Sequence, residues 1–274
     1  MKTSLNICCK GPKNKNIGAY LTILQEILLL SQIYKKKKIN FFFNNNVKKK
    51  FFYENFLQNT KLDIKFVKKK KNNFINLELI KKKNETYSLS RINHLYNLYK
   101  IKPLIQWNKK IRNESSNIIR LFDLKKFIIV TLKRDTKLTK ANAKILVWKK
   151  IFQLLVKKKY KIVIIGNDNF ENSFKNDNLK DHIIALNNYE FTLASQFDLV
   201  NKAKFFVGTA SGVCMAACFS KVPYAIFKHP NHHTNEMKKE LLNDRVVFSA
   251  KKQLFYLKHQ NFNTIKNAIK DIMN

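Results

Sequence analysis

The second half of the chain alternates short apolar runs with longer amphipathic segments. Apolar runs at Phe127–Leu132, Lys161–Ile165 and His182–Leu186 are typical of strands that are covered on both faces. Asn142–Val156 and Phe191–Ala203 follow the first and the third run, and they place apolar residues at the spacing of one helix face. Because strands alternate with helices, this half predicts an α/β domain with a parallel sheet.

The first part of the chain shows the same alternation. The predicted strands are Ser4–Cys9, Ile39–Phe43 and Leu62–Val67, and the predicted helices are Ala19–Tyr34 and Val47–Leu57. This part therefore predicts a second parallel α/β domain.

The hydrophobic pattern weakens between these two parts. Ser90–Tyr99 is a predicted helix, and the polar stretch Asn113–Asn117 is interpreted as a surface loop near a domain boundary. We therefore expect an N-terminal Rossmann-like domain over residues 1–120, a C-terminal Rossmann-like domain over 121–260 and a closing helix over 261–274. Arg245–Phe248 is the last predicted strand.

A glycine-rich turn lies at the centre of the C-terminal domain. Strands at Phe205–Val207 and Val222–Phe227 flank the turn Gly208–Gly212 and a helix of small residues, Val213–Phe219. Amide N–H groups at the start of such a helix point out of the sheet, where the helix dipole favours a phosphate. The sequence thus predicts phosphate binding at Gly208, Thr209, Ser211 and Gly212. The alternative is a tight turn whose glycines serve packing alone.

Further candidate ligand residues follow the ends of predicted strands. Parallel sheets bind ligands beyond the carboxyl ends of their strands, and Arg134, Gly166 and His229 each come just after one. Arg134 would neutralise a diphosphate that lies over the turn; the alternative is an ordinary surface charge. Glu190 precedes a predicted helix, where its carboxylate would either accept hydrogen bonds from a ribose or complement the helix dipole.

The charge of the chain is strongly positive. The sequence has 54 Lys and Arg against 18 Asp and Glu, a formal net charge of +36, and only five of the basic residues are arginines. A reader of nucleic acid would be expected to use more arginine for bidentate contacts, and an AT-rich coding sequence alone enriches lysine. No specific nucleic-acid partner is therefore predicted. The lysine runs are interpreted as solvated helix ends and loops, with peripheral contact to an anionic inner membrane as the alternative.

The cysteines and histidines lack the spacing of a metal site. Cys8 and Cys9 are adjacent, whereas Cys214 and Cys218 lie in an apolar stretch, which is typical of buried reduced thiols. The segment 229–233 has three histidines without a helical pairing to an acid, which favours a polar or ligand-contacting loop. We expect neither a metal nor a cofactor. Without an apolar run that would span a bilayer or form a signal peptide, the expected location is cytoplasmic.

Two stretches resemble the GT-B glycosyltransferases, and most closely the heptosyltransferase-like enzymes of bacterial surface glycan synthesis. They are the strand, glycine loop and helix through Gly11–Leu30, and the half-chain Phe127–Phe227 with its Phe-Val-Gly-Thr-Ala-Ser-Gly turn. The resemblance implies two Rossmann-like domains that face each other across a cleft. It implies a nucleotide-sugar donor in the C-terminal domain, a glycan or glycolipid acceptor in the N-terminal domain, and transfer without a bound metal.

The same resemblance assigns residues to the two ligands. The donor diphosphate would lie on Thr209, Ser211 and Gly212 with help from Arg134, and the acceptor would lie near Lys15, Asn16 and Gly18.

Two positions depart from the family pattern. Ala210 and Ala19 stand where the family often has acids, and the second of those acids is the usual general base. Glu26 is interpreted as a surface residue on a helix, so no general base is identified, and inverting transfer, retaining transfer and loss of activity all stay open.

The preferred interpretation is a metal-independent glycosyltransferase that moves a sugar from a nucleotide-sugar to a surface polysaccharide or lipopolysaccharide acceptor. The alternatives are a nucleotide-sugar epimerase on the same fold and a non-catalytic basic protein that binds a polyanion or a membrane.

Overall fold

The computed structural model describes residues 4–9, 11, 17–43, 46–68, 73–77, 89–134, 139–166, 174, 179–231 and 234–273. The chain divides into two compact units, Met1–Arg112 and Asn113–Asn274. Each unit is built around a parallel sheet of its own.

The first unit contains a four-stranded sheet. Its strands are β1 (Leu5–Cys9), β2 (Lys38–Phe43), β3 (Asp63–Phe66) and β4 (Ile75–Asn76). They lie in the order β3-β2-β1-β4, and all neighbours are parallel. The helices are α1 (Ile17–Ile33), α2 (Asn46–Asn55) and α3 (Ser90–Tyr99). The strand–helix alternation predicted for this part is confirmed, whereas the two-residue strand β4 has no counterpart in the prediction.

Helix α1 is buried on every side, from Gly18 to Ser31. This corrects the interpretation of Glu26 as a surface residue, because its exposed fraction is 3%. The Glu26 carboxylate pairs with the guanidinium of Arg91 on α3, which also donates to the carbonyl of Asn76 at 2.7 Å. Burial raises the pKa of Glu26 to about 7, since it outweighs the opposing attraction of Arg91. Glu26 therefore links α1 to α3 in the interior of the unit.

The second unit contains a six-stranded sheet. Its strands are β5 (Phe127–Thr131), β6 (Lys161–Ile164), β7 (Ile183–Ala185), β8 (Phe206–Thr209), β9 (Tyr224–Phe227) and β12 (Gln253–Tyr256). Two-residue strands β10 (Leu241–Leu242) and β11 (Arg245–Val246) form a separate antiparallel pair. The helices are α4 (Lys109–Leu121, which spans the division between the units), α5 (Ile145–Lys157), α6 (Leu193–Val200), α7 (Met215–Cys218), α8 (Thr234–Glu240) and α9 (Phe262–Met273).

The strand order of the large sheet is β12-β9-β8-β5-β6-β7, and every pair is parallel. Counted along the chain, this is the 3-2-1-4-5-6 order of dinucleotide-binding folds. The direction of winding reverses between β5 and β8, and open α/β sheets bind their ligands in the crevice outside such a point. For this topology, a ligand is therefore expected where the chain leaves β5 and β8.

One face of this sheet packs against α5 and α9. Trp148 and Phe152 of α5 are fully buried, and they belong to one apolar cluster with Ile265 and Ile272 of α9. Strands β5, β8 and β9 are buried at every position, as expected for central strands of a covered parallel sheet. Because these strands are held from both faces, their carboxyl ends form a rigid platform for the loops.

The polar stretch Asn113–Asn117 is helical, so its interpretation as a surface loop is wrong. Ile111, Ser115 and Ile118 are fully buried on one face of α4. The Glu114 carboxylate accepts hydrogen bonds from the Thr192 N–H at 2.9 Å and from the hydroxyls of Thr192 and Ser195 at 3.0 Å each. Glu114 is therefore bonded to the start of α6. The local sequence does not indicate this partner, because it lies about 80 residues later in the chain.

The last strand of the sheet is β12, not the predicted Arg245–Phe248. Arg245 and Val246 instead pair with β10 across a turn whose residues Asn243 and Asp244 have φ of 51° and 59°. Strand β12 joins the sheet beside β9, and the buried side-chain amide of Gln253 donates to the carbonyls of Ser220 and Val222.

Candidate functional site

The carboxyl ends of β5 and β8 approach each other unusually closely at Gly208. A Cβ atom on Gly208 would lie 2.2 Å from the carbonyl oxygen of Thr131 and 2.9 Å from its amide nitrogen. Only glycine permits this approach. Gly208 therefore has a packing role, which is the role that the alternative interpretation gave to the glycines of the turn. This close packing fixes the position of the residues that follow Gly208.

Thr209 fastens the start of the turn to the loop after β5. Its hydroxyl accepts a hydrogen bond from the Lys133 N–H and lies 3.4 Å from the carbonyl of Thr131, to which it donates. The side chain is fully buried. The Thr209 hydroxyl therefore holds Lys133 next to the turn, and its contact with a donor diphosphate stays a prediction.

The backbone amides of the turn divide into two groups. The Ala210 N–H donates to Phe227 O at 2.8 Å, and the Cys214 N–H donates to Ser211 O at 3.1 Å. In contrast, the N–H groups of Gly212 and Val213 have no hydrogen-bond partner within the part of the chain that the structure describes. They are the first amides of the single turn Gly212–Cys214 that leads into α7. Two consecutive donors are therefore available at this edge of the sheet.

The thiol of Cys214 lies inside the turn. It donates to the carbonyl of Thr209 at 3.2 Å and accepts from the Ser211 N–H at 3.4 Å. Complete burial raises the pKa of this thiol to about 11, despite the opposing effects of Ser211 and of the Lys228 charge. The thiol is therefore neutral at physiological pH and keeps the proton that it donates. The sequence predicts Cys214 only as a buried thiol. A usable signal was its position three residues after Ser211, because a side chain at that position often bonds back to the cap residue of a helix.

Gly166 brings the end of β6 to the same place. Its φ of 108° lies in the range that favours glycine. A Cβ atom there would lie 3.4 Å from Cγ2 of Val213 and 3.7 Å from Oγ1 of Thr131. The ends of β5 and β6 and the turn after β8 are therefore adjacent, as their shared position at one sheet edge predicts.

Two basic residues follow β9 on the other side of the turn. The Lys228 charge lowers the pKa of the Cys214 thiol, although burial outweighs this effect. Nδ1 of His229 accepts from the Asn231 N–H at 3.2 Å, and its ring packs edge-on against His259 with 5.0 Å between centroids. Lys228 and His229 both follow the end of β9, where the sequence predicts ligand contacts, and their contact with a ligand stays a prediction.

Arg134 and Glu190 are less closely tied to the turn. Arg134 is exposed and directly follows Lys133, whose N–H is bonded to Thr209. Glu190 is also exposed, and the rings of its neighbours Tyr189 and Phe191 pack against Phe122, with centroids 4.9 Å and 6.3 Å away. Among the described contacts none joins Glu190 to the turn, so its ribose role stays a prediction.

The predicted acceptor residues are only partly visible. Lys15 and Asn16 lie outside the described residues. Gly18 is the second residue of α1, where it is buried and its carbonyl accepts from the Thr22 hydroxyl at 2.9 Å. The acceptor assignment therefore stays a prediction for all three.

Other features of the described chain do not compete with this site. A groove of about 520 Å³ lies along α9, lined by residues that include Tyr256, Asn261 and Asp271, and the predicted donor residues do not line it.

The described His, Cys, Asp and Glu side chains form no group of three that would hold a metal ion. In the same residues, no helix has both the length and the apolar character needed to cross a bilayer.

No sequence model of a protein family and no curated protein sequence matches this chain. Solved structures do match it. A glycosyl transferase family 9 protein from Veillonella parvula has a TM-score of 0.65 at 10% identity, with 100% of this chain and 98% of that chain covered. The E. coli ADP-heptose lps heptosyltransferase II has a TM-score of 0.61 at 8% identity, with 98% of each chain covered. The E. coli heptosyltransferase WaaC with ADP has a TM-score of 0.58 at 12% identity, with 97% and 99% covered.

These matches extend over both units and nearly the whole of each solved chain. At such low identities they establish the fold. The two parallel α/β sheets and the structural matches confirm the predicted fold class: the chain has the heptosyltransferase-like GT-B fold.

Proposed function

We propose that this protein is a glycosyltransferase that binds the diphosphate of a nucleotide-sugar at the turn Gly208–Val213. The proposal extends to transfer of the sugar to a surface polysaccharide or lipopolysaccharide acceptor, without a bound metal. The fold shared with glycosyltransferases supports the class of reaction, and the turn supports the class of donor.

The observation that carries the proposal is the pair of amides at Gly212 and Val213. They have no partner among the described residues, they are consecutive, and they lie at the edge where the winding of the sheet reverses. Amides in this arrangement hydrogen-bond phosphate oxygens without the desolvation cost of a buried cation. Ser211, which is half-buried at the same turn, adds a hydroxyl donor.

Basic side chains around the turn supply the remaining positive potential. Lys228 lies near Cys214, and Lys133 and Arg134 follow β5, whose end is bonded to Thr209. During transfer the bond between the sugar carbon and the diphosphate oxygen breaks, the acceptor hydroxyl oxygen forms the new bond to the sugar, and the proton of that hydroxyl is released to solvent. The negative charge that develops on the leaving diphosphate would be stabilised by the turn amides and by these cations.

The choice of donor to test first comes from the solved structures. E. coli WaaC is described in complex with ADP and with ADP-2-deoxy-2-fluoro heptose. We therefore propose an ADP-sugar as the first candidate, followed by UDP- and GDP-sugars. Gly18, Lys15 and Asn16 are the proposed acceptor contacts, and Glu190 is the proposed ribose contact.

The test is a binding screen followed by a turnover assay. A donor at 100 times its dissociation constant should stabilise the protein by about 2.7 kcal/mol, which a thermal-shift screen of ADP-, UDP- and GDP-sugars detects. Turnover is measured by mass spectrometry of the acceptor glycan. Sugar transfer supports the proposal, whereas sugar isomerisation or nucleotide release that needs no acceptor supports an epimerase.

The polyanion alternative makes a different prediction for the same protein. Binding to heparin or to anionic vesicles would weaken steeply with salt and would be indifferent to Gly212→Val. Donor binding should be lost in that variant, because the added side chain covers the turn amides. Absence of binding to every nucleotide-sugar in the panel would contradict the proposed function.

A further inference from the structure

The turn proposed to bind the diphosphate has an internal support that is not part of the sheet. The carbonyl of Thr209 and the N–H of Ser211 are two residues apart, and both contact the same sulfur atom, Sγ of Cys214. The Ser211 hydroxyl also lies 3.8 Å from this sulfur. One side chain therefore closes a ring across the backbone immediately before Gly212.

The chemistry of this side chain suits the contact. Sγ donates its only proton to Thr209 O and uses a lone pair for the Ser211 N–H. The donation to Thr209 O requires the neutral thiol, and complete burial raises the pKa of Cys214 to about 11 despite the opposing effect of the Lys228 charge. The geometry is thus insensitive to pH over the physiological range.

The support occupies the amide that directly precedes Gly212. With the Ser211 N–H directed at sulfur and the Ala210 N–H directed at Phe227 O, the next two amides, of Gly212 and Val213, have no described partner. Sulfur is larger than oxygen, so the ring it closes is wider than a hydroxyl would give.

We propose that Cys214 is a positioning residue that holds the Gly212 and Val213 amides in the orientation that binds the donor diphosphate. This inference rests on the proposed function for its consequence, but the support itself is testable without any ligand.

Cys218 offers a matched control. It lies one helical turn after Cys214, it is also fully buried, and its thiol hydrogen-bonds with Tyr224 on β9, whereas the Cys214 thiol bonds to the turn backbone. Truncation of either cysteine to alanine removes one sulfur atom from the same helix. Loss of packing should therefore be similar in Cys214→Ala and Cys218→Ala, whereas loss of turn geometry should be confined to the first.

The first measurement uses backbone amide hydrogen exchange, by NMR, in the full-length protein without ligand. The Ser211 amide should exchange at least about tenfold more slowly than the Gly212 amide, because a bonded amide must open before it exchanges. In Cys214→Ala the Ser211 amide should lose this protection, and in Cys218→Ala it should keep it. Equal exchange at Ser211 and Gly212 in the wild-type protein would overturn the proposal even if no variant folds.

The second measurement is calorimetric titration with ADP, UDP and GDP, each in turn. For whichever nucleotide binds the wild-type protein, Cys214→Ala should raise Kd by about tenfold, as expected from loss of two modest hydrogen bonds. Cys214→Ser, whose hydroxyl makes both bonds over a shorter reach, should restore part of the affinity, and Cys218→Ala should leave Kd unchanged.

An equal rise of Kd in the two alanine variants would overturn the positioning role. If the wild-type protein binds none of the three nucleotides, the proposed function fails, and the exchange data still decide whether Cys214 supports the turn.

Discussion

Substitution of Gly208 by alanine tests the close approach on which the whole site is built. The new Cβ would lie 2.2 Å from Thr131 O, 2.8 Å from its Cγ2 and 2.9 Å from its amide nitrogen. Two of these atoms are backbone atoms of a fully buried central strand, so neither is able to rotate away. To reach ordinary contact, β5 and β8 would have to separate by roughly 1 Å at this point.

The expected loss of stability follows from that separation. Overpacking of a rigid core costs about 1–3 kcal/mol. Separation of the two strands would also weaken the hydrogen bonds of the ladder that pairs Thr131 with Gly208. We therefore expect Gly208→Ala to lower the free energy of unfolding of the second unit by about 3 kcal/mol. With a urea m-value of about 2 kcal/mol/M, the midpoint should fall by about 1.5 M.

The two tryptophans make this assay specific for one unit. Trp148 is buried in the second unit and Trp107 in the first. Urea unfolding followed by fluorescence in a Trp107→Phe background therefore reports the second unit through Trp148. Gly212→Ala is the matched control: Gly212 does not have the positive φ that favours glycine, so stability should change by less than about 1 kcal/mol. A Gly208→Ala midpoint within experimental error of the parent would refute the close approach of β5 and β8.

Three further predictions concern the turn, the buried carboxyl and the helix cap. Gly212→Val should abolish nucleotide-sugar binding in calorimetry while the urea midpoint stays near that of the parent; retained binding would contradict the assignment of the turn amides. Burial raises the pKa of Glu26 from an ordinary 4.5 to about 7, so the contribution of this group to stability is full below pH 4.5 and is lost as the pH rises through 7. As the pH rises between those limits, the free energy of unfolding of Glu26→Gln should therefore increase by up to ~3 kcal/mol relative to that of the wild type. Urea unfolding at several pH values measures this difference, and a difference that does not change with pH would refute the buried ionisation. Glu114→Ala removes three hydrogen bonds from the start of α6 and should lower the free energy of unfolding by about 1 kcal/mol. The control Glu54→Ala removes only an exposed i,i+4 ion pair with Lys50 and should lower it by less than about 0.5 kcal/mol. Equal losses in the two variants would contradict the cap.

The parallel sheets were predictable because their central strands are buried on both faces. Continuous apolar runs such as Phe127–Leu132 have no amphipathic alternative, and the structure places strand β5 within that run. Thr192 lies just before α6, and its hydroxyl accepts from the Ser195 N–H at 3.2 Å, as a threonine at a helix N-cap commonly does. These features depend on local composition, which the sequence displays directly.

Features that depend on distant partners were not predictable. Strand β12 reads as Gln-Leu-Phe-Tyr between lysines, and its place in the sheet depends on pairing with β9 and on the contacts of Gln253 with two carbonyls some 30 residues earlier in the chain. The helical conformation of Asn113–Asn117 likewise depends on Glu114 and Ser115 finding partners on α6. The polar residues Asn113–Asn117 looked like loop residues because their partners lie far away along the chain, and β12 was not predicted at all.

The candidate site shows the same division. Its glycines were visible in the sequence because each directly follows an apolar run, although the steric demand at Gly208 comes from Thr131 on the neighbouring strand. The supporting contact of Cys214 was not, because a buried thiol in an apolar stretch has the same sequence signature whether it packs or donates a hydrogen bond.

The measurement that tests the central claim most directly is an NMR titration of the ¹⁵N-labelled protein with ADP-, UDP- and GDP-sugars. At least one donor should bind and should shift the Gly212 and Val213 amide resonances more than those of Ala210 and Cys214, whose N–H groups are already bonded within the fold. Saturable binding that leaves the Gly212 and Val213 resonances unmoved, or no binding of any donor, would contradict the claim that these two amides hold the diphosphate.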